Sequence, residues 1–115
     1  MSFADTEALD EVLFEYDVIG ILAGHIHYDC VSQWQGIPVV VGIGQHFATD
    51  PLWLHAGVRM LSGASFTIGT VRDTGLTVTF APQPSDRREL KSLTQGDMAE
   101  LIDEYESGQA QDAAE

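Results

Sequence analysis

Leu9, Val12, Leu13 and Tyr16 recur at the i, i+3, i+4, i+7 spacing of one helix face, with Glu7, Asp10, Glu11, Glu15 and Asp17 between them. The spacing predicts an amphipathic helix over 6–16 whose acids face water. Residues 18–23 are apolar throughout, too few for a helix and rich in branched side chains, which predicts a short strand covered on both faces. A helix feeding a buried strand implies an α/β layer. The strand gives way at Gly24-His25-Ile26-His27. A second extended stretch, 28–34, then runs to the turn signal Gln35-Gly36 and the apolar run 37–43, so a hairpin is expected.

Residues 44–63 show no clear period and carry Gly44, Pro51, Gly57 and Gly63; they predict a long loop with a helical turn near 51–56. Beyond it, 64–71 and 76–80 predict two strands joined by Arg72-Asp73-Thr74-Gly75. Leu76, Val78 and Phe80 alternate with Thr77 and Thr79, as in a hairpin with one buried face. Pro82 and Pro84 should end the sheet. Thr94 with Asp97 three residues on is a capping-box start, and Met98, Leu101, Ile102 and Tyr105 repeat a helical stripe before Gly108. The expected organisation is thus a folded part over 1–84, a linker and acidic amphipathic helix over 85–108, and a disordered tail over 109–115.

Composition narrows the function. At 115 residues the chain makes one domain, and 44% hydrophobic residues exclude a disordered polymer. Eighteen acids against five bases, a net charge of -13, weigh against nucleic-acid polymers and anionic membranes as partners. The acids lie toward the two ends and leave the middle nearly neutral. The chain's one cysteine, Cys30, closes no internal disulfide and builds no cysteine-based zinc site, which fits a reducing compartment; it reads as a small buried residue. No apolar run approaches the ~20 residues of a membrane span and no signal peptide is evident, so the expected location is the cytoplasm.

The chemistry concentrates in Gly24-His25-Ile26-His27. In an extended segment, residues i and i+2 point the same way, so His25 and His27 can present two imidazoles to one metal or to two adjacent metals, with Gly24 allowing close approach or a positive φ. A loop directly after the carboxyl end of a buried strand is where open α/β sheets place ligands. In this setting residues 18–50, VIGILAGHIHYDCVSQWQGIPVVVGIGQHFATD, resemble the carboxyl-terminal part of calcineurin-like metallophosphoesterases, most of all the class III cyclic-nucleotide phosphodiesterases. The resemblance continues more weakly to about residue 81.

That resemblance implies the carboxyl-terminal portion of a four-layer α/β/β/α sandwich, mostly β hairpins with a helix at each end. It implies His25 and His27 as ligands, one to each ion of a pair of divalent metals (manganese, iron or zinc), with Gly24 as the motif glycine. The family's Asp-x-His, Gly-Asp and Gly-Asn-His-Asp/Glu blocks precede this motif and have no counterpart here. The chain is therefore expected to be inactive alone, at most a weak metal binder, and either to self-associate or to pair with the missing amino-terminal part. His46, Asp29 and Asp50 are candidates for the substrate side or for orienting an imidazole. Arg59 is a weaker candidate for phosphate. Two metals ~3.5–4 Å apart can polarise a phosphoryl oxygen and stabilise in-line displacement, and their charge reverses the local field of an acidic protein. The alternative is a non-catalytic β-rich packing or dimerisation module.

Overall fold

The computed structural model describes residues 6–114 and shows a mixed α/β chain that is mostly β-sheet, with a helix near each end. Helix α1 spans Thr6–Leu13. It stops short of the expected 16 because the chain tightens into a turn, Phe14 N donating to Asp10 O at 2.8 Å and Tyr16 N to Leu13 O at 3.0 Å. Its apolar face is open, with Leu9 45% and Val12 64% exposed.

Three strands form the first sheet in the order β1-β3-β2: β1 Ile21–Ala23, β2 Cys30–Trp34 and β3 Ile37–Val41. The β2–β3 hairpin closes through Gln35 and Gly36, whose φ values of 53° and 77° are those of a type I′ turn. β1 lies parallel to β3, Ile21 opposite Val39 and Ala23 opposite Val41. The strand expected over 18–23 therefore shrinks to three paired residues. Its expected double cover is also missing, since Leu22 is 60% exposed. Strands β6 (Ser65–Arg72) and β7 (Gly75–Pro82) form a hairpin in full register from Ser65–Pro82 to Arg72–Gly75. Leu76 of this hairpin reaches the first sheet, where a Cβ on Gly20 would sit 2.6 Å from its Cδ2. Leu76, Val78 and Phe80 are only half-buried and Phe66 to Arg72 are exposed, so the expected buried face is partial.

The expected long loop over 44–63 holds two strands: β4 Ala48–Thr49 and β5 Gly57–Leu61 flank the expected helical turn, a 3₁₀ helix over Pro51–Ala56. The expected linker holds another, β8 Glu89–Thr94, and the third sheet runs β4-β5-β8. Both departures have a reason in residue chemistry. β5 carries Arg59 at its centre, neutralised by Asp50 at 3.5 Å and by Glu89 at 3.1 Å, the latter outside hydrogen-bonding direction. β8 carries Glu89 and Lys91, residues of low strand preference, and gains its structure from pairing with β5. Gly57 is required at this seam: its φ is 132° and a Cβ there would run into the Leu93 carbonyl and the Thr94 backbone.

Helix α2 spans Gln95–Ala114. Its start is the predicted box: Asp97 N donates to Thr94 Oγ1 at 3.1 Å and Thr94 N to Asp97 Oδ2 at 2.9 Å. The helix runs through Gly108 into residues expected to be disordered. Gln109 donates to the Tyr105 hydroxyl at 2.7 Å one turn back, and the alanine- and glutamine-rich sequence that follows offsets the ~1 kcal/mol cost of an internal glycine. The helix meets β8 and β5. Met98 is half-buried there, while Leu101, Ile102 and Tyr105 remain 50%, 54% and 66% exposed. No described helix is long and apolar enough to cross a membrane.

Among the described residues the buried hydrophobic core is Val40, Val41, Ala48 and Leu61. The Cα radius of gyration is 17.6 Å, against ~13 Å for a compact chain of 100 residues. Stability should therefore rest on few side chains. Leu61→Ala is expected to cost ~2–5 kcal/mol, whereas Leu52→Ala, at a position 93% exposed, should leave the urea midpoint within experimental spread.

The cap has a pH signature. The Thr94 backbone N–H, and then its hydroxyl, hold the Asp97 carboxyl below its usual 3.8. A depressed folded value means that the cap's contribution is fully present above 3.8 and is lost as pH falls through the lower folded value. Carboxyl-carbon NMR should put the Asp97 midpoint below 3.8, and Thr94→Ala should move it part of the way back.

Candidate metal centre

The parallel β1–β3 pair decides where the histidines lie. β2 pairs with the far side of β3, so the connection over residues 24–29 must cross the carboxyl end of β3, where the chain leaving Val41 also emerges. Two loops meet at the position that open sheets reserve for ligands. Three hydrogen bonds lock them together. His27 Nδ1 bonds to Ile43 O at 3.1 Å, Ile43 N donates to Asp29 Oδ1 at 3.1 Å, and Thr49 N donates to His27 O at 2.6 Å.

The first of these bonds fixes a tautomer. A carbonyl oxygen only accepts, so Nδ1 of His27 carries the proton and the neutral ring keeps its lone pair on Nε2. A ring oriented by a backbone carbonyl, with its other nitrogen free, is the usual arrangement of a metal-bound imidazole. His27 also stacks on Phe47, ring centroids 4.0 Å apart and planes inclined by 22°.

The backbone around the pair is not extended. His25 has φ 86° and His27 φ 58°. Histidine is enriched in the left-handed region among non-glycine residues, yet each such residue still costs of order 1–3 kcal/mol and persists where its surroundings over-determine it. For His27 the surroundings are the bonds just described. Both rings line one cavity of about 370 Å³, reached through two left-handed turns rather than by strand alternation. Gly24 takes no positive φ, and a Cβ there would meet nothing within 4 Å, so neither freedom expected of it is used within this chain.

The remaining candidates divide. Asp29 holds Ile43, and through it the carbonyl that orients His27; it acts on the ring one bond removed. Asp50 caps the 3₁₀ helix, accepting from Leu52 N at 3.0 Å, and pairs with Arg59, so its bonds go to structure rather than to an imidazole. Arg59, between two carboxylates, is likewise committed. His46 is exposed and meets the pair only through Phe47, edge-on at 5.2 Å. It lines a separate shallow depression of about 420 Å³ with Ser62, Ser85, Asp86 and Arg88. The Ser62 hydroxyl, and then the Arg88 backbone N–H, hold the Asp86 carboxyl below its usual range, which keeps a negative charge beside that depression. Arg88, 3.9 Å from Asp86, lines the same depression and offsets that charge. Cys30 is half-buried.

Residue spacing gave no signal for Ile43 and Thr49, which act through the backbone, or for Phe47, Met60 and Met98, which read as ordinary apolar positions. Among the described residues no three histidine, cysteine, aspartate or glutamate side chains gather as a metal set. The donors present thus fit part of a metal centre, two imidazoles with one of them pre-oriented. Comparison with known proteins finds no matching family, no matching curated protein and no matching solved structure.

Asp29 offers a direct check on the lock. In Asp29→Ala the Ile43 amide should exchange with solvent at least ~10-fold faster while the Thr49 amide, held by the His27 carbonyl, stays protected. Equal loss at both amides would mean that Asp29 supports the whole loop rather than Ile43 alone.

Proposed function

We propose that this chain supplies the carboxyl-terminal part of a calcineurin-like, dinuclear-metal phosphoesterase acting on phosphodiesters. His25 and His27 would each ligate one of two divalent ions, manganese, iron or zinc. The observation that carries the reading is the orientation of His27. Its Nδ1 proton is engaged by the Ile43 carbonyl, which leaves Nε2 as the ring nitrogen for a metal, and His25 and His27 line one cavity. When bound, the ions would polarise the phosphoryl group. The chain's own residues hold the His27 ring in place, with Asp29 and Ile43 setting it and Phe47 backing it.

The rest of the ligand set, and the four-layer sandwich around it, would come from residues that precede the motif in such enzymes. The open faces support this. A parallel strand pair is ordinarily covered on both sides, yet Leu22 and Val31 are 60% and 63% exposed, and Phe66 and Ile68 on the hairpin 55% and 52%. Such surface favours pairing with the missing part or with a second copy. A packing or dimerisation module would use the same faces, so the imidazoles discriminate between the two readings.

A zinc titration at pH 7.5, compared with His25→Ala and His27→Ala, tests the proposal. Wild type should bind weakly and each variant at least ~10-fold more weakly. Equal affinity in all three proteins would place the metal elsewhere and leave the packing module as the better reading.

A further inference from the structure

We infer that the cavity beside the imidazole pair is a subsite for the organic group of a phosphoester, and that it selects an apolar aryl group over a nucleobase. The phosphate end of this inference rests on the metal reading above; the organic end rests on the cavity itself.

At about 370 Å³ the cavity falls within the ~300–1,000 Å³ of small-molecule sites. His25 and His27 form one wall. Ile26, Phe47, Val58, Met60 and Met98, drawn from four separate segments of the chain, form most of the rest. An anionic group held at the imidazoles would leave its ester substituent against carbon and sulfur. Phe47 lines the same cavity and stacks on His27 at 4.0 Å, so an aromatic side chain stands beside the space a flat substituent would take. The two thioethers are unbranched and polarisable, and they adapt well to a ring. A nucleobase is disfavoured by the same walls. Its donors and acceptors would lose water and, beyond the imidazoles, face only the Tyr28 and Thr49 hydroxyls, since the Thr49 backbone N–H is spent on the His27 carbonyl.

Met98 gives α2 a role in the site. It is the fourth residue of the helix, and Leu93 immediately precedes the Thr94 cap, the two positions of a hydrophobic staple; both are half-buried. The reciprocal Thr94–Asp97 bonds hold the first turn, and thereby set Met98 against the histidine loop. In this assignment α2 is a wall of the subsite and Met98 a specificity-determining residue.

The chain has three methionines, of which Met60 and Met98 line the cavity, so the 115-residue chain with methyl-labelled methionine reports directly on it. With zinc present, phenyl phosphate should shift both signals and bind about tenfold or more tighter than methyl phosphate or adenosine monophosphate. Met98→Ser should bring the phenyl-to-methyl ratio toward one, and Met98→Leu, which keeps the volume and the fold, should restore most of it. Equal affinity for phenyl and methyl phosphate, or tighter binding of adenosine monophosphate than of phenyl phosphate, would overturn the inference. The two readings fail separately. Benzyl alcohol moving both methionine signals without metal, while zinc leaves the imidazole resonances unmoved, would support the apolar subsite and overturn the metal centre. Zinc on the imidazoles with methionine signals indifferent to every aromatic probe would overturn the subsite and spare the metal centre.

Discussion

Everything at this site depends on the hydrogen bonds between the Gly-His-Ile-His loop and the segment that follows β3. His27 gives its ring proton to the Ile43 carbonyl, its own carbonyl takes the Thr49 amide, and Asp29 takes the Ile43 amide. These three bonds fix a tautomer and support a left-handed backbone at His27. They also tie the first sheet to the start of the third, because Thr49 belongs to β4. Without them the loop would have no reason to keep His27 at an unfavourable φ. A side chain, a backbone conformation and the joint between two sheets share one small set of partners.

The scarcity of core bears on every other feature. Only four hydrophobic residues are buried among those described, and Leu9 and Val12 of α1, Leu22 and Val31 of the first sheet, and Phe66, Ile68 and Val71 of the β6–β7 hairpin are exposed. An amphipathic pattern specifies which face of an element wants cover, not what covers it. The open stripe of α1 and the bare strand Ile21–Ala23 are demands that the described residues leave unmet. That is the physical content of reading the chain as one part of a larger sandwich or as a surface that pairs.

How much could be read in advance follows from which interactions are local. The two hairpins were legible because Gln35-Gly36 and Arg72-Asp73-Thr74-Gly75 carry turn chemistry and their strands alternate. The α2 cap was legible because Thr94 and Asp97 stand three residues apart. Strands β5 and β8 were not, since Arg59, Glu89 and Lys91 obscure the pattern and only mutual pairing reveals it. The same distinction holds at the site. His25 and His27 announce themselves by type and spacing, and Asp29 lies close enough to suspect. Ile43 acts through a carbonyl, which any residue possesses, and Met98 reaches the cavity from the opposite end of the described chain.

The placement of Met98 also has a consequence for biosynthesis. The histidine loop and the residues that lock it leave the ribosome well before α2, and at ~5–20 residues per second the interval is several seconds. During that interval the imidazoles can be in place while the cavity beside them lacks a wall and β5 lacks its β8 neighbour. Under the proposed function, a nascent chain would pass through a stage with the metal-facing imidazoles placed before the wall that selects the organic group. Contacts between such distant parts of a chain also form slowly. The order of synthesis therefore separates the acquisition of the two halves of the site in time.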